Sequence, residues 1–180
     1  NKKIILLIGG SLGALTLNTA VAESIPETVK SGVQLIWQCG KRFDERAKMV
    51  LEAAGNPTCI KQMPFIARMD LAYKAADLVI SRAGASSISE LCLLGKPVIL
   101  VPSPNVAEDH QTKNAEALSS KGAAILVRDT EARQRLMPCA LSVVHDEESL
   151  TSMSREIAAL AQRDSAARIA DIIFDIVNKK

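Results

Sequence analysis

Short apolar runs alternate with amphipathic stretches along this chain. IILLI at 4–8 is uniformly apolar, as a strand covered on both faces should be. Runs at 33–37, 77–81, 98–101 and 123–127 also read as strands, and 58–62 as a weaker one. Helix-compatible stretches lie between them, ending near 22 and covering 42–54, 67–76, 88–94 and 109–120. In the 42–54 stretch Phe43, Ala47, Val50, Leu51 and Ala54 share one side, with charges opposite, and Gly55-Asn56-Pro57 stops it. Gly95 stands where a left-handed helix C-cap belongs, and Pro97 forbids further helix. From 130 onward the chain reads as helices without strands. The last, over 165–177, carries Ile169, Ile172, Ile173, Ile176 and Val177 as an i, i+3, i+4, i+7, i+8 stripe.

Six alternations of strand and helix predict an α/β fold: a Rossmann-like, doubly wound, mostly parallel six-stranded sheet with C-terminal helices, one domain over 1–180. In such sheets ligands bind beyond the carboxyl ends of the strands. Three polar or small-residue loops fall there, at 9–13, 84–87 and 109–111.

Composition narrows the function classes. Apolar residues make up 48% and aromatics 3%, so the core is aliphatic and offers little to stack nucleic-acid bases. A net charge of +2 with acids and bases interspersed lacks the basic face that nucleic acid requires. Cys39, Cys59, Cys92 and Cys139 form no CxxC pair and read as reduced thiols of a cytosolic protein, not a zinc site or a disulfide frame. No apolar run reaches the roughly 18 residues of a membrane span. Lys2-Lys3 leads straight into a strand-length run, so no signal peptide is expected. The opening residue is Asn1 and not Met, which leaves room for a longer protein.

The candidate chemistry centres on 77–102, a strand, a small-residue turn, a short helix and a second strand. The helix N-terminus at 84–87 (Gly84, Ala85, Ser86, Ser87) presents backbone N–H groups and the positive end of a helix dipole, which suits a phosphate. Ser87-Ile88-Ser89-Glu90 fits a capping box, in which Ser87 caps the backbone and Glu90 reaches back. In the alternative, the Glu90 carboxylate accepts hydrogen bonds from a ribose diol. GGSLGA at 9–14, containing Gly10, Ser11 and Gly13, resembles the dinucleotide fingerprint GxGxxG with its glycines misplaced. It reads either as a phosphate loop or as a plain tight turn, and an NAD site is disfavoured. Phe65-Ile66 is either ordinary packing or an apolar lid on a base. Asp109 is a plausible N-cap. His110 is either a surface residue or part of the site, the Gln111 amide suits sugar hydroxyls, and Asn114 supports the same face or is solvated. His145 reads as surface. No Ser-His-Asp set, HExxH, Walker A loop or paired catalytic carboxylates are present.

Together GGSLGA, Phe65-Ile66, SRAGASSISE at 81–90, GKPVILVP at 95–102 and DHQTKNA at 109–115 resemble the C-terminal, donor-binding half of the MurG family. Those bacterial N-acetylglucosaminyltransferases convert lipid I to lipid II in peptidoglycan synthesis. The resemblance spans nearly the whole chain in order and thins after Val127. It implies one half of a GT-B glycosyltransferase, inverting and metal-independent, with UDP-GlcNAc as donor and no cofactor. By the same carry-over Glu90 binds the ribose hydroxyls, Ile66 reads the uracil edge with Phe65 beside the ring, and Ser11 and the amides around Ser86 and Ser87 hold the diphosphate. His110 and Gln111 contact the GlcNAc, although His110 stands where some members carry glutamine. Catalytic residues, the lipid I site and attachment to the cytoplasmic membrane face belong to an N-terminal domain with no counterpart here. The chain alone is therefore expected to bind donor without turnover, with the terminal helix over 164–180 packing on this domain or reaching the absent one. Alternatives are the donor half of a glycolipid glucosyltransferase or of the split N-glycan transferase, or a nucleotide-binding module without chemistry; a UDP-GlcNAc epimerase shares the architecture but is expected to carry more acid/base groups than this sequence holds.

Overall fold

The computed structural model describes residues 2–10, 12–104 and 109–178; Ser11 and the 105–108 part of the loop after the fifth strand lie outside them. Strands β1 (Ile4–Ile8), β2 (Gln34–Gln38), β3 (Ile60–Met63), β4 (Leu78–Ser81), β5 (Val98–Leu100) and β6 (Ile125–Leu126) form one sheet in the order β3-β2-β1-β4-β5-β6. Every pairing is parallel, so the expected "mostly parallel" sheet is wholly parallel. Parallel neighbours need crossovers, and the helices supply them: α1 (Leu15–Glu23), α2 (Ile25–Lys30), α3 (Asp44–Ala53), α4 (Met69–Ala75), α5 (Ala85–Leu94) and α6 (His110–Ser119). Helices α7 (Ala132–Val143), α8 (Glu147–Ala159) and α9 (Ser165–Asn178) follow a short 3-10 turn at Asp129–Glu131.

The period-2 geometry of the strands splits the core into two layers. Ile5, Leu7, Leu35, Trp37, Leu78 and Ile80 pack under α1, α3 and α7, while Leu6, Val79, Val98 and Leu100 pack under α4, α5, α6 and α8. Both faces are covered, which is why the strands read as continuous apolar runs. Buried Asn18 on α1 stitches one layer to the sheet. Its Nδ2 donates to the Cys39 carbonyl at 2.8 Å, and its Oδ1 accepts from Trp37 Nε1 at 2.8 Å. A buried amide survives there because both ends are paired.

Some boundaries differ from expectation. α2 was not foreseen; Pro26 sits in its first turn, where a missing N–H costs nothing. α5 begins at Ala85, three residues before the expected start, and ends as expected on Gly95 at φ 60°. β3 spans Ile60–Met63 and not 58–62, and β6 shortens to Ile125–Leu126; both are edge strands with pairing on one side only.

Helix α9 is fully formed, yet Ile169, Ile172, Ile173, Phe174, Ile176 and Val177 are each 55–65% exposed. Its stripe therefore does not pack on this domain.

Candidate functional site

The strand order reverses between β1 and β4, so the loops leaving their carboxyl ends diverge and leave a crevice. The described residues of the glycine-rich loop (Gly9, Gly10, Leu12, Gly13 and Ala14) line one side and Arg82-Ala83-Gly84 with the start of α5 the other. The first intrahelical bond of α5 runs from Ile88 N–H to the Gly84 carbonyl at 3.0 Å, and no side chain caps the helix. The amides of Ala85, Ser86 and Ser87 thus precede the helical ladder and point out of the N-terminus, where an anion is favoured. The expected capping box is not formed: Gly84 is the N-cap and Ser87 lies inside the first turn. Starting the helix at Ala85 leaves Ser87 with no terminus to cap.

Glu90 is exposed on α5 and fixed from below. The hydroxyl of Tyr73, on α4 and only 6% exposed, donates to Glu90 Oε2 at 3.1 Å. Burial, followed by the Glu90 charge, pushes the Tyr73 phenol well above its ordinary value, so it remains a proton donor across the physiological range. Glu90 is solvent-exposed and its carboxylate keeps further lone pairs, in keeping with an acceptor for hydroxyls. Tyr73 carried no signal in the sequence beyond an apolar helix position.

The glycine loop is held by a second residue that sequence reasoning missed. Gln38, at the end of β2 and 3% exposed, accepts from Gly10 N–H at 2.9 Å through Oε1. Its Nε2 donates to the carbonyls of Gly10 (2.8 Å) and Pro64 (3.1 Å). One amide therefore ties the loop after β1 to the loop after β3, which carries Phe65 and Ile66. It also occupies the Gly10 N–H, while the Gly13 N–H donates to the Gly10 carbonyl at 3.2 Å. Both amides are thus paired within the protein, and the two bonds shape the loop. Gly13 has φ +89°, and a Cβ there would lie 2.4 Å from the Cys39 carbonyl oxygen, so close packing against the end of β2 demands glycine. Ser11 lies outside the described residues.

Ile66 is 8% exposed and packs in the cluster that holds Tyr73 and Ala83, whereas Phe65 is 64% exposed. The pair divides into a buried anchor and a projecting ring beside the crevice. At the start of α6, Asp109 occupies the expected N-cap position at φ 53°, but its carboxylate accepts from Thr112 Oγ1 at 2.6 Å and caps no backbone amide. His110 is exposed at the helix start. Gln111 Oε1 accepts from Ser103 N–H at 2.9 Å, and Asn114 Nδ2 donates to the Ala83 carbonyl at 3.2 Å. Asn114 thus fixes the turn that feeds α5 and is not merely solvated. The structure brings the described candidates to the carboxyl ends of the strands, where hydrogen bonds with neighbouring residues hold Gly10, Glu90, Gln111 and Asn114.

Hollows of about 280 Å³ by Leu12, Arg42 and Phe43 and of about 290 Å³ by Pro102, Asp109 and Asp129 flank this edge. Each is smaller than a usual small-molecule site of roughly 300–1,000 Å³, so this edge is open rather than enclosing. A groove of about 620 Å³ lies at the opposite edge, where Lys3 bridges Asp77 (3.7 Å) and Glu147 (2.5 Å). It is a salt-bridged seam remote from the convergent loops. Among the described residues no three His, Cys, Asp or Glu side chains are grouped to hold a metal, and no helix is long and apolar enough to cross a membrane.

Comparison with known proteins gives this geometry a family. Residues 4–169 match the glycosyltransferase family 28 C-terminal domain. A UDP-N-acetylglucosamine–N-acetylmuramyl-(pentapeptide) pyrophosphoryl-undecaprenol N-acetylglucosamine transferase of Parabacteroides distasonis is 57% identical over 180 residues, covering 99% of this chain and 48% of that protein. The crystal structure of Acinetobacter baumannii MurG superposes with a TM-score of 0.84 at 29% identity, covering 97% of this chain and 50% of that one. A UDP-N-acetylglucosamine 2-epimerase shares the fold alone, with a TM-score of 0.65 at 15% identity over 99% of this chain and 44% of that one. The chain spans about half the length of the curated relatives it matches. From the convergent loops and the matched span together, this chain belongs to the glycosyltransferase family 28 C-terminal domain family.

Proposed function

We propose that this chain is the donor-binding half of an N-acetylglucosaminyltransferase that moves GlcNAc from UDP-GlcNAc to lipid I, forming lipid II in peptidoglycan synthesis. The observation that carries the reading is the uncapped α5 N-terminus at the strand-order reversal, with Glu90 held by Tyr73 further along the same helix. That spacing suits a diphosphate followed by a ribose. The relatives' names supply the sugar and the acceptor.

In this reading the amides around Ser86 and Ser87, with Ser11 from the glycine loop, receive the diphosphate. Glu90 accepts from the ribose hydroxyls, and the Ile66 backbone meets the uracil edge with the Phe65 ring beside it. His110 and Gln111 face the GlcNAc hydroxyls, while Gly84, Ala85 and Asn114 shape the α5 entrance. As the sugar departs, negative charge grows on UDP. Backbone donors already in place stabilise that charge without reorganising. The transfer is inverting and metal-independent. The lipid acceptor, the catalytic base and peripheral attachment to the inner face of the cytoplasmic membrane come from the other half of the protein, which serves cell-wall growth and division. Helix α9 packs its exposed stripe against that half.

The 180-residue chain is expected to bind UDP-GlcNAc and to form no lipid II, while the full-length protein forms it. Transfer by the isolated chain would contradict the division of labour, and inactivity of the full-length protein would contradict the assignment itself.

A further inference from the structure

Arg82 stands between β4 and the Gly84 cap of α5, where an arginine is ordinarily read as a phosphate ligand. Its bonds run elsewhere. Nη1 donates to the carbonyls of Val101 and Pro102, both at 3.1 Å, and to Asp129 Oδ1. Asp129 Oδ2 in turn accepts from Thr16 Oγ1 at 3.0 Å. The Arg82 and Asp129 side chains are only 20% and 17% exposed. Thr16 lies in the first turn of α1, directly after the glycine loop. One chain of bonds therefore joins the turn into α5, the end of β5, the 3-10 turn after β6 and the N-terminus of α1.

We propose that Arg82, Asp129 and Thr16 form a positioning network that sets the spacing of the α1 and α5 N-termini around the diphosphate without touching the donor. The inference rests on the donor-site reading above. Two preorganised helix ends stabilise an anion only if their amides converge on it, and small misplacements at such sites cost much. Asp129 suits the task because its two oxygens accept from different elements at once. It also neutralises Arg82, so the pair acts on the diphosphate through geometry more than through net charge.

The test compares the full-length protein with Thr16→Val and Asp129→Asn, each titrated with UDP and, by ligand-observed NMR, with uridine. Thr16→Val leaves both charges of the pair in place, and Asp129→Asn leaves Arg82 its two backbone carbonyl acceptors, whereas Arg82→Ala strands the Asp129 carboxylate with the Thr16 hydroxyl alone and is prone to fail in folding. The network predicts that both variants lose UDP affinity by roughly tenfold while uridine, which lacks the diphosphate, binds within about twofold of the parent. Electrostatics alone gives the opposite sign for Asp129→Asn, since removing an acid near an anion site tightens UDP. Tighter UDP, unchanged UDP in both variants, or equal losses for UDP and uridine would each overturn the proposal. Failure of the parent protein to bind UDP would instead overturn the donor-site reading on which it rests.

Discussion

The phenol of Tyr73 donates to Glu90 Oε2 at 3.1 Å, so a buried residue of α4 orients an exposed carboxylate of α5. Removing that hydroxyl leaves Glu90 in water and costs the core little. A hydrogen bond of this kind contributes about 0.5–1.5 kcal/mol net. Tyr73→Phe is accordingly expected to weaken UDP-GlcNAc binding by roughly three- to tenfold, with a melting temperature near that of the parent. Calorimetric titration beside a thermal melt reads both, and unchanged affinity would show that Glu90 needs no orientation.

Gly13 and Gly84 are expected to respond in opposite ways. Gly13→Ala places a Cβ 2.4 Å from the Cys39 carbonyl oxygen at φ +89°, and strained backbone of this kind costs about 1–3 kcal/mol before any clash is relieved. Gly84 has φ −71° and open space where a Cβ would go, so Gly84→Ala leaves the fold intact. It narrows the α5 entrance, however, and is expected to weaken UDP. A lower melting temperature for the first and lower affinity for the second, measured on the same day's protein, separate packing from ligand approach.

Asp44 gives the fold a pH dependence. Lys48 Nζ donates to Asp44 Oδ2 at 2.7 Å and Gln62 Nε2 to Oδ1 at 2.6 Å. The Lys48 ammonium first, and the Gln62 amide second, hold the carboxyl below its usual range. A depressed folded-state value contributes stability that is present above the unfolded value of about 3.9 and is lost as pH falls through the folded one. Asp44→Asn therefore lowers the melting temperature slightly at pH 7, and the gap from the parent closes between roughly pH 5 and 2. The effect is small because Lys48 is 56% exposed. Melts across that range with a constant gap would contradict the assignment.

The α9 stripe provides a test on the far side of the molecule. Ile172 and Ile176 are 58% and 65% exposed, so replacing both with Asp costs this domain little. If the stripe packs on the other half, the double variant of the full-length protein loses transferase activity while its UDP affinity holds. Full activity in that variant would remove α9 from the interface.

Strands were legible wherever both faces are covered. IILLI and DLVIS read as strands because helices pack on each side of β1 and β4. The two edge strands were less clear, since pairing on one side leaves room for polar residues such as Lys61 and Gln62. The edge on which the candidate loops converge followed from topology alone. What stayed hidden were residues that act through contacts distant in sequence: Gln38 meeting Pro64, Tyr73 meeting Glu90, and Arg82 meeting Asp129, 47 residues away. Neither spacing nor periodicity records such pairs. The capping box misled for a local reason: Ala85-Ser86-Ser87 enters the helix, so the serine that fits the motif lies past the terminus.

The most direct test is a thermal titration of the full-length protein and its Glu90→Ala variant with UDP-GlcNAc, beside UDP-glucose and NAD. A ligand that binds only the folded state stabilises it by about 2.7 kcal/mol at a hundredfold excess over Kd. The account predicts a clear rise in melting temperature with UDP-GlcNAc, a smaller one with UDP-glucose, none with NAD, and loss of the UDP-GlcNAc response in Glu90→Ala. An equal rise in parent and variant, or no rise in the parent, would contradict it.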